Sequence, residues 1–355
     1  MTSFTQITRR GFAAALAALA LTLAVLSGPT FAQAQPLTKI RFVLDWRYEG
    51  PAALFLVAKA KKYFEQEGLD VTIDSGSGSG AAVNRVASGA YEMGFADISA
   101  MIEFMATNQA NPGARMQAVY MVYDYSPAAV FAMKKSGITK PSDLNGKKLG
   151  APVFDAGRKA FPMFIKANNL DSSKITWTAM EPALRETMLV QGQVDAITGF
   201  TFTSLLNLNA RGVKDEDVVM MKYADNGVKL YGNVIIASQK FIDQNPKAVA
   251  GFLRALTRGM KDGIADQAYA IQVLKERDPL INVALETRRL KMAIDDSIGT
   301  PGFRADGIGA INKVRFEDTV AQVVSAFGIK QAPNADNMFN SSFLPPKSER
   351  QIFPK

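Results

Sequence analysis

A carboxylate and an indole stand side by side at Asp45 and Trp46, directly after the alternating run Ile40-Arg41-Phe42-Val43-Leu44. A carboxylate in that place accepts hydrogen bonds from a ligand or orients its own loop. An indole there either stacks on a flat ligand or packs into the core. The Gly-Ser string Ser75-Gly76-Ser77-Gly78-Ser79-Gly80 leads into a helical pattern. Its N–H groups, with Ser77, Ser79 and Gly80, can meet an anion or a carbonyl oxygen, and a plain flexible turn is the other reading. No lysine follows the glycines, so the string is not a P-loop. Asp97 ends Met93-Gly94-Phe95-Ala96 and either faces a ligand or caps the next helix. Tyr125 and Ser126 precede Pro127 and serve as hinge or binding groups. Arg158 follows Asp155-Ala156-Gly157 and is the candidate anion clamp, because a guanidinium pairs bidentately with carboxylate or sulfonate; a solvated surface arginine is the alternative. Asp195, at a strand edge, and Tyr231 and Asn233, at the opening of a later strand, complete the candidate set.

What is missing narrows the chemistry further. The chain has 355 residues and contains neither cysteine nor histidine. That removes thiol and imidazole nucleophiles, the Ser-His-Asp relay, thiolate zinc sites and every imidazole ligand. Oxygen-ligand metals and carboxylate or lysine catalysis survive this test. No D-x-D-x-D-G or H-E-x-x-H string supports a metal, and neither metal nor cofactor is expected. The formal charge is +8, but basic residues occur singly or in pairs with acids between them, so no nucleic-acid partner is expected.

The candidates require strands that end in loops on one side. Strand, helix, strand, Gly-rich turn, helix and strand follow one another from Ile40 to Asp97, a repeated βα pattern that implies a mainly parallel sheet with helices on its faces. Ligands in such sheets meet the loops at the C-terminal strand ends. Met116–Tyr123 and Ala128–Met133 are strand candidates separated by Asp124-Tyr125-Ser126-Pro127, a break where the chain can leave one lobe for another. A second βα series follows, with Val218–Lys222 and Gly232–Ala237 as its last strands. Pro246–Ala265 is the clearest amphipathic helix, and Ala268–Lys275, Val283–Ile294 and Phe316–Phe327 are helices too. The expected organisation is α/β in two lobes: residues 36–125 with 236–340, residues 126–235, and a tail over 341–355.

Residues 1–35 read as a targeting segment. Arg9-Arg10-Gly11-Phe12 precedes the apolar run Ala13–Leu26, and Ala32-Gln33-Ala34 offers a cleavage site. Adjacent arginines before a modestly hydrophobic run resemble a twin-arginine export signal. The expected location is therefore the periplasm, and the absence of cysteine excludes a lipid-modified N-terminus.

Several strings then occur together in order: Leu44-Asp45-Trp46, Lys62-Tyr63-Phe64-Glu65-Gln66-Glu67-Gly68-Leu69-Asp70-Val71, the Gly-Ser turn and Glu92-Met93-Gly94-Phe95-Ala96-Asp97. Asp143-Leu144-Asn145-Gly146-Lys147-Lys148-Leu149-Gly150 and Gly192-Gln193-Val194-Asp195-Ala196 follow. Over residues 38–270 this resembles the SsuA/THI5-like, or NMT1-like, substrate-binding proteins of ABC importers. The resemblance implies a two-lobe periplasmic-binding-protein fold with the ligand enclosed between the lobes. It implies a small-molecule ligand and an importer permease as partners, with the chain a monomer. The ligand expected is an organic anion, sulfonate or carboxylate, delivered on lobe closure; a thiamine-related pyrimidine or other nitrogen heterocycle is the alternative. The pyrimidine synthase branch of the resemblance uses a histidine-rich centre. This chain has no histidine, so no enzymatic activity is expected.

Overall fold

A computed structural model describes residues 36–353; the targeting segment read in residues 1–35 lies outside them. Two five-stranded sheets, each flanked by helices, make up the described chain. The first contains β1 (Thr38–Val43), β2 (Leu69–Asp74), β3 (Met93–Asp97), β4 (Met116–Met121) and β10 (Asn233–Ser238), in the order β2-β1-β3-β10-β4. The second contains β5 (Ala128–Met133), β6 (Lys148–Ala151), β7 (Thr176–Ala179), β8 (Ala196–Phe200) and β9 (Val218–Lys222), in the order β7-β6-β8-β5-β9.

Residue placement explains the strands. β2 lies at a sheet edge and alternates: Leu69, Val71 and Ile73 are buried while Asp70 and Thr72 face outward. β3 lies inside its sheet under helices on both faces, and all of Met93–Asp97 is buried. Amphipathic helices close the layers. The helix Pro246–Ala265 buries Val249, Phe252, Leu253 and Leu256, with Phe252 packed 5.1 Å from Phe42 and 5.0 Å from Phe64. Among the described residues no helix is long and apolar enough to cross a membrane.

Each sheet is mainly parallel with one reversed strand. β1 pairs parallel with β2 and β3, whereas β10 runs antiparallel to β3 and β4. β5 is its counterpart, antiparallel to β8 and β9. The reversal has a geometric cause. A chain that leaves one sheet at the cleft enters the other from the cleft, and so must run away from it. β5 and β10 are the two strands reached in that way.

This corrects the sequence reading of the second lobe, which runs to 235 and counts Gly232–Ala237 as its strand. β10 begins at Asn233 and belongs to the first sheet. The expected tail also packs: Arg350 is buried and donates to the carbonyls of Pro345 at 2.8 Å and Ile308 at 2.9 Å.

Candidate ligand-binding site

The C-terminal ends of β1, β3, β6 and β8 converge on a cavity between the sheets that encloses about 550 Å³, mouth included. Leu44–Arg47 and Glu49 line it after β1, Ser79 and Phe95 from the neighbouring elements, Asp155 after β6, and Phe200 at the end of β8. Tyr123 stands at its centre, with Phe95 at 5.4 Å, Phe202 at 6.0 Å and Phe200 at 6.4 Å, all edge to face. Aromatic rings from both lobes therefore wall one space.

The turn after β2 is shaped by close backbone contact. Gly76 N donates to Trp46 O at 2.8 Å, and Gly78 N to Asp45 O at 2.7 Å. A Cβ on Gly76 would lie 2.0 Å from Leu44 O, so only glycine lets the two loops meet. The helix α1 (Ser79–Ala87) starts there, and Ser79 Oγ accepts from Asp97 N at 2.9 Å. Gly80 N reaches across the cleft to Phe154 O at 3.1 Å. Lys159 pairs with Glu103 at 3.2 Å, and Thr203 Oγ1 donates to Glu49 Oε2 at 3.0 Å. These contacts join the lobes in a closed arrangement.

Charge inside the cavity is predominantly negative. Asp45, Glu49 and Asp155 line it, against Arg47, which is exposed, and Arg185. Arg185 lies on the short helix α2 (Arg185–Val190) and is 1% exposed. Its Nη1 donates to Asp155 Oδ2 and its Nε to Glu186 Oε1, both at 2.9 Å, while the guanidinium lies 4.9 Å from the Trp46 ring centre. Burial pulls the Arg185 pKa down, but the Glu186 and Asp155 carboxylates more than offset it and hold the group charged. Asp45 keeps some exposure to the cavity, yet burial of its carboxyl pushes its pKa up to about 7. The hydrogen bond from Asn233 opposes that rise and nearby Glu49 adds to it. Three buried atoms have no partner here: Trp46 Nε1 and one Arg185 nitrogen, Nη2, are donors, and Asn233 Oδ1 is an acceptor. Nη2 sits 2.8 Å from Glu186 Oε1 as an ion pair, without hydrogen-bond alignment.

The sequence candidates divide sharply by position. Asp45, Trp46 and Ser79 line the cavity, and Asn233 adjoins it by donating to Asp45 Oδ2 at 2.8 Å. Gly80 spans the lobes beside it; Ser77 is half-buried and does not line it. Asp97 caps the helix α1 leads toward in space, Ile98–Thr107, accepting from Ser99 N at 2.9 Å, and burial raises its pKa to about 6 against the Ser99 hydrogen bonds. Tyr125, Ser126 and Tyr231 lie on the two crossings between lobes. Arg315 sits 4.3 Å from the Tyr125 ring centre and 3.9 Å from that of Tyr231. Asp195 accepts from Lys148 N at 2.7 Å, at the start of β8 and so away from the cleft.

Arg158 is not brought to the cavity, contrary to its reading as a clamp. Asp155 caps the helix Ala156–Ala167, which turns Arg158 back so that Nη1 donates to Ala151 O at 2.9 Å and the guanidinium lies 4.8 Å from the Trp177 ring centre. Sequence reasoning missed Glu49, Asp155, Arg185 and the Phe200–Thr203 wall. Asp155 carried a usable signal as an acid immediately after a strand; Arg185 carried none, since a buried guanidinium reads as any surface one. Among the described residues, no group of three or more His, Cys, Asp or Glu is arranged to hold a metal ion.

The family model described as NMT1/THI5 like matches residues 51–270. The chain belongs to the NMT1/THI5-like family. A 4-amino-5-hydroxymethyl-2-methylpyrimidine phosphate synthase of Aspergillus parasiticus is 25% identical over 260 residues, covering 70% of this chain and 74% of that protein. The riboflavin-binding protein RibY of Chloroflexus aurantiacus is 26% identical over 225 residues, 62% of this chain and 62% of that protein. In structure, the alkanesulfonate-binding protein SsuA of Xanthomonas axonopodis pv. citri matches with a TM-score of 0.65 at 15% identity, covering 84% of this chain and 95% of that one. The two-lobe fold of periplasmic binding proteins is thus shared.

These relatives overturn one expectation. The absence of histidine argues against an enzyme, yet this NMT1/THI5-like chain aligns with proteins named as pyrimidine phosphate synthases. A missing imidazole therefore does not set the chain apart from the enzymes of its own family.

Proposed function

We propose that this NMT1/THI5-like chain captures a flat, neutral or cationic nitrogen heterocycle between its lobes and delivers it to the permease of an ABC importer in the periplasm. One observation carries the choice of ligand: carboxylates outnumber guanidiniums on the cavity lining, and the buried Arg185 already faces Asp155 and Glu186. A sulfonate or carboxylate entering would meet like charge with no unengaged buried cation to offset it. A ring that carries N–H donors and a ring-nitrogen or carbonyl acceptor suits Asp45 and Asn233 Oδ1 on one side and Trp46 Nε1 on the other. The aromatic walls suit its faces.

The names of the relatives support this class, since one is a riboflavin-binding protein and others act in pyrimidine phosphate synthesis. The resemblance of residues 1–35 to an export signal and the periplasmic structural neighbours support the location. Ligand contacts from both lobes favour the closed form, which the permease then recognises.

The test begins with native mass spectrometry of the purified mature protein, and denaturation to release and weigh any bound molecule. Calorimetric titration with an aminopyrimidine and with an alkanesulfonate follows, with a mass readout that would register conversion of either. The aminopyrimidine should bind and the alkanesulfonate should not. Tighter binding of the alkanesulfonate would sink the heterocycle reading.

A further inference from the structure

The cavity's two walls are tied together by a group that does not line it. Arg289 lies on the helix α3 (Val283–Ala293), which packs with the first lobe against Gly50–Ala52 and is 1% exposed. Its guanidinium reaches into the second lobe. Nη1 donates to Phe202 O at 2.9 Å and Thr203 O at 3.0 Å, and Nη2 to Asn207 Oδ1 at 2.9 Å, all on the helix Thr201–Asn209. On the first-lobe side, Nε donates to Glu286 Oε2 at 2.9 Å, and Glu49 Oε2 lies 3.4 Å from Nη1. Glu286 Oε2 also accepts from Gly50 N at 2.6 Å, which fixes the loop that carries Glu49.

Phe202 and Thr203 line the cavity from one lobe and Glu49 from the other, whereas Arg289 does not. We infer that Arg289 is a positioning residue that latches the two lobes across the cleft and sets the spacing of Glu49 against Phe202 and Thr203, with no ligand needed to make the contact. The inference rests on the cavity being the solute site, but its mechanical part does not depend on which solute enters.

Two features favour a latch over a simple packing role. The helix Thr201–Asn209 receives hydrogen bonds on two backbone carbonyls and one side chain from the same guanidinium, a fork that fixes orientation as well as distance. Arg289 is also the shared partner of acids from two separate segments, Glu49 and Glu286, so burial of its charge is matched on both sides of the cleft. Neighbouring Arg288 adds exposed contacts to Asn209 at 3.1 Å and Asp215 at 3.2 Å, which point the same helix toward the second lobe.

The chain's lack of cysteine supplies a clean test, because thiols introduced by Asp70→Cys and Lys214→Cys in the two lobes are the sole labelling sites. Spin labels there report the interlobe distance of the full-length mature protein by pulsed dipolar spectroscopy. Without ligand, the protein with native Arg289 should give a narrow, short-distance distribution. Arg289→Met should shift it to longer and broader distances, and Arg289→Lys should recover part of the short population. If Arg289→Met fails to fold, the pair Arg289→Met with Glu286→Gln removes the stranded acid on the same helix and is measured instead. A lowered melting temperature with an unchanged distance distribution would overturn the latch, as would a ligand-free native protein that is already open. Failure of every heterocycle to bind would count against the proposed function alone and leave the distance result standing.

Discussion

At the scale of single residues, buried charge decides what this cavity accepts. Asp45 has a folded-state pKa near 7, above its ordinary carboxylate value because burial penalises the charge. The folded state therefore binds a proton that the unfolded state has released, and stability should fall as pH rises from about 4 toward about 7. Asp97, raised to about 6 for the same reason, acts in the same direction. Thermal melts at pH 5 and pH 8 should differ, and Asp45→Asn should reduce the difference by an amount worth on the order of 1 kcal/mol. A larger pH dependence in the variant would show that the carboxyl is not the group responsible. Trp46 gives a second residue-scale prediction. Trp46→Phe keeps an aromatic wall but removes the unpartnered Nε1 donor, so affinity for an aminopyrimidine should drop by roughly 3- to 30-fold without loss of fold. These two residues were legible in the sequence because a strand ends immediately before them. Arg185 and Glu49 were not, since nothing in a charge's neighbours along the chain reveals that its partners arrive from another lobe.

The elements carry geometry that the residues alone do not. The turn after β2 works because Gly76 and Gly78 let backbone meet backbone. Gly78 has a φ of +133°, and a Cβ there would lie 2.2 Å from Phe154 O in the opposite lobe. Gly78→Ala should therefore leave each lobe folded while propping the cleft open, visible as a larger radius of gyration and a weaker ligand affinity. An unchanged radius would mean that the turn moves aside easily. The alternation of β2 and the helical spacing of Pro246–Ala265 made those elements readable directly. β10 was assigned to the wrong sheet for a physical reason: Val234, Ile235 and Ile236 are all buried, and a fully buried run carries no facing signal to say which sheet it joins. The Arg158 reading failed at the same scale. One turn of helix, set by the Asp155 cap, separates a side chain that enters the cleft from one that lies on Trp177.

For the whole molecule, the reversed strands have a consequence for how the chain assembles. The second sheet is built from one continuous stretch, β5 through β9. The first is not: β10 sits between β3 and β4, so β4 has no strand neighbour until the chain has passed through the other lobe and returned. A polypeptide emerging from the ribosome therefore completes its second lobe before its first. A fragment of residues 126–230 should melt cooperatively on its own, while one of residues 37–125 should not, by circular dichroism of each. Cooperative melting of the early fragment would show that β1, β2 and β3 suffice. Otherwise the N-terminal third of the protein waits, unfinished and with apolar strand edges open, for a short segment made more than a hundred residues later.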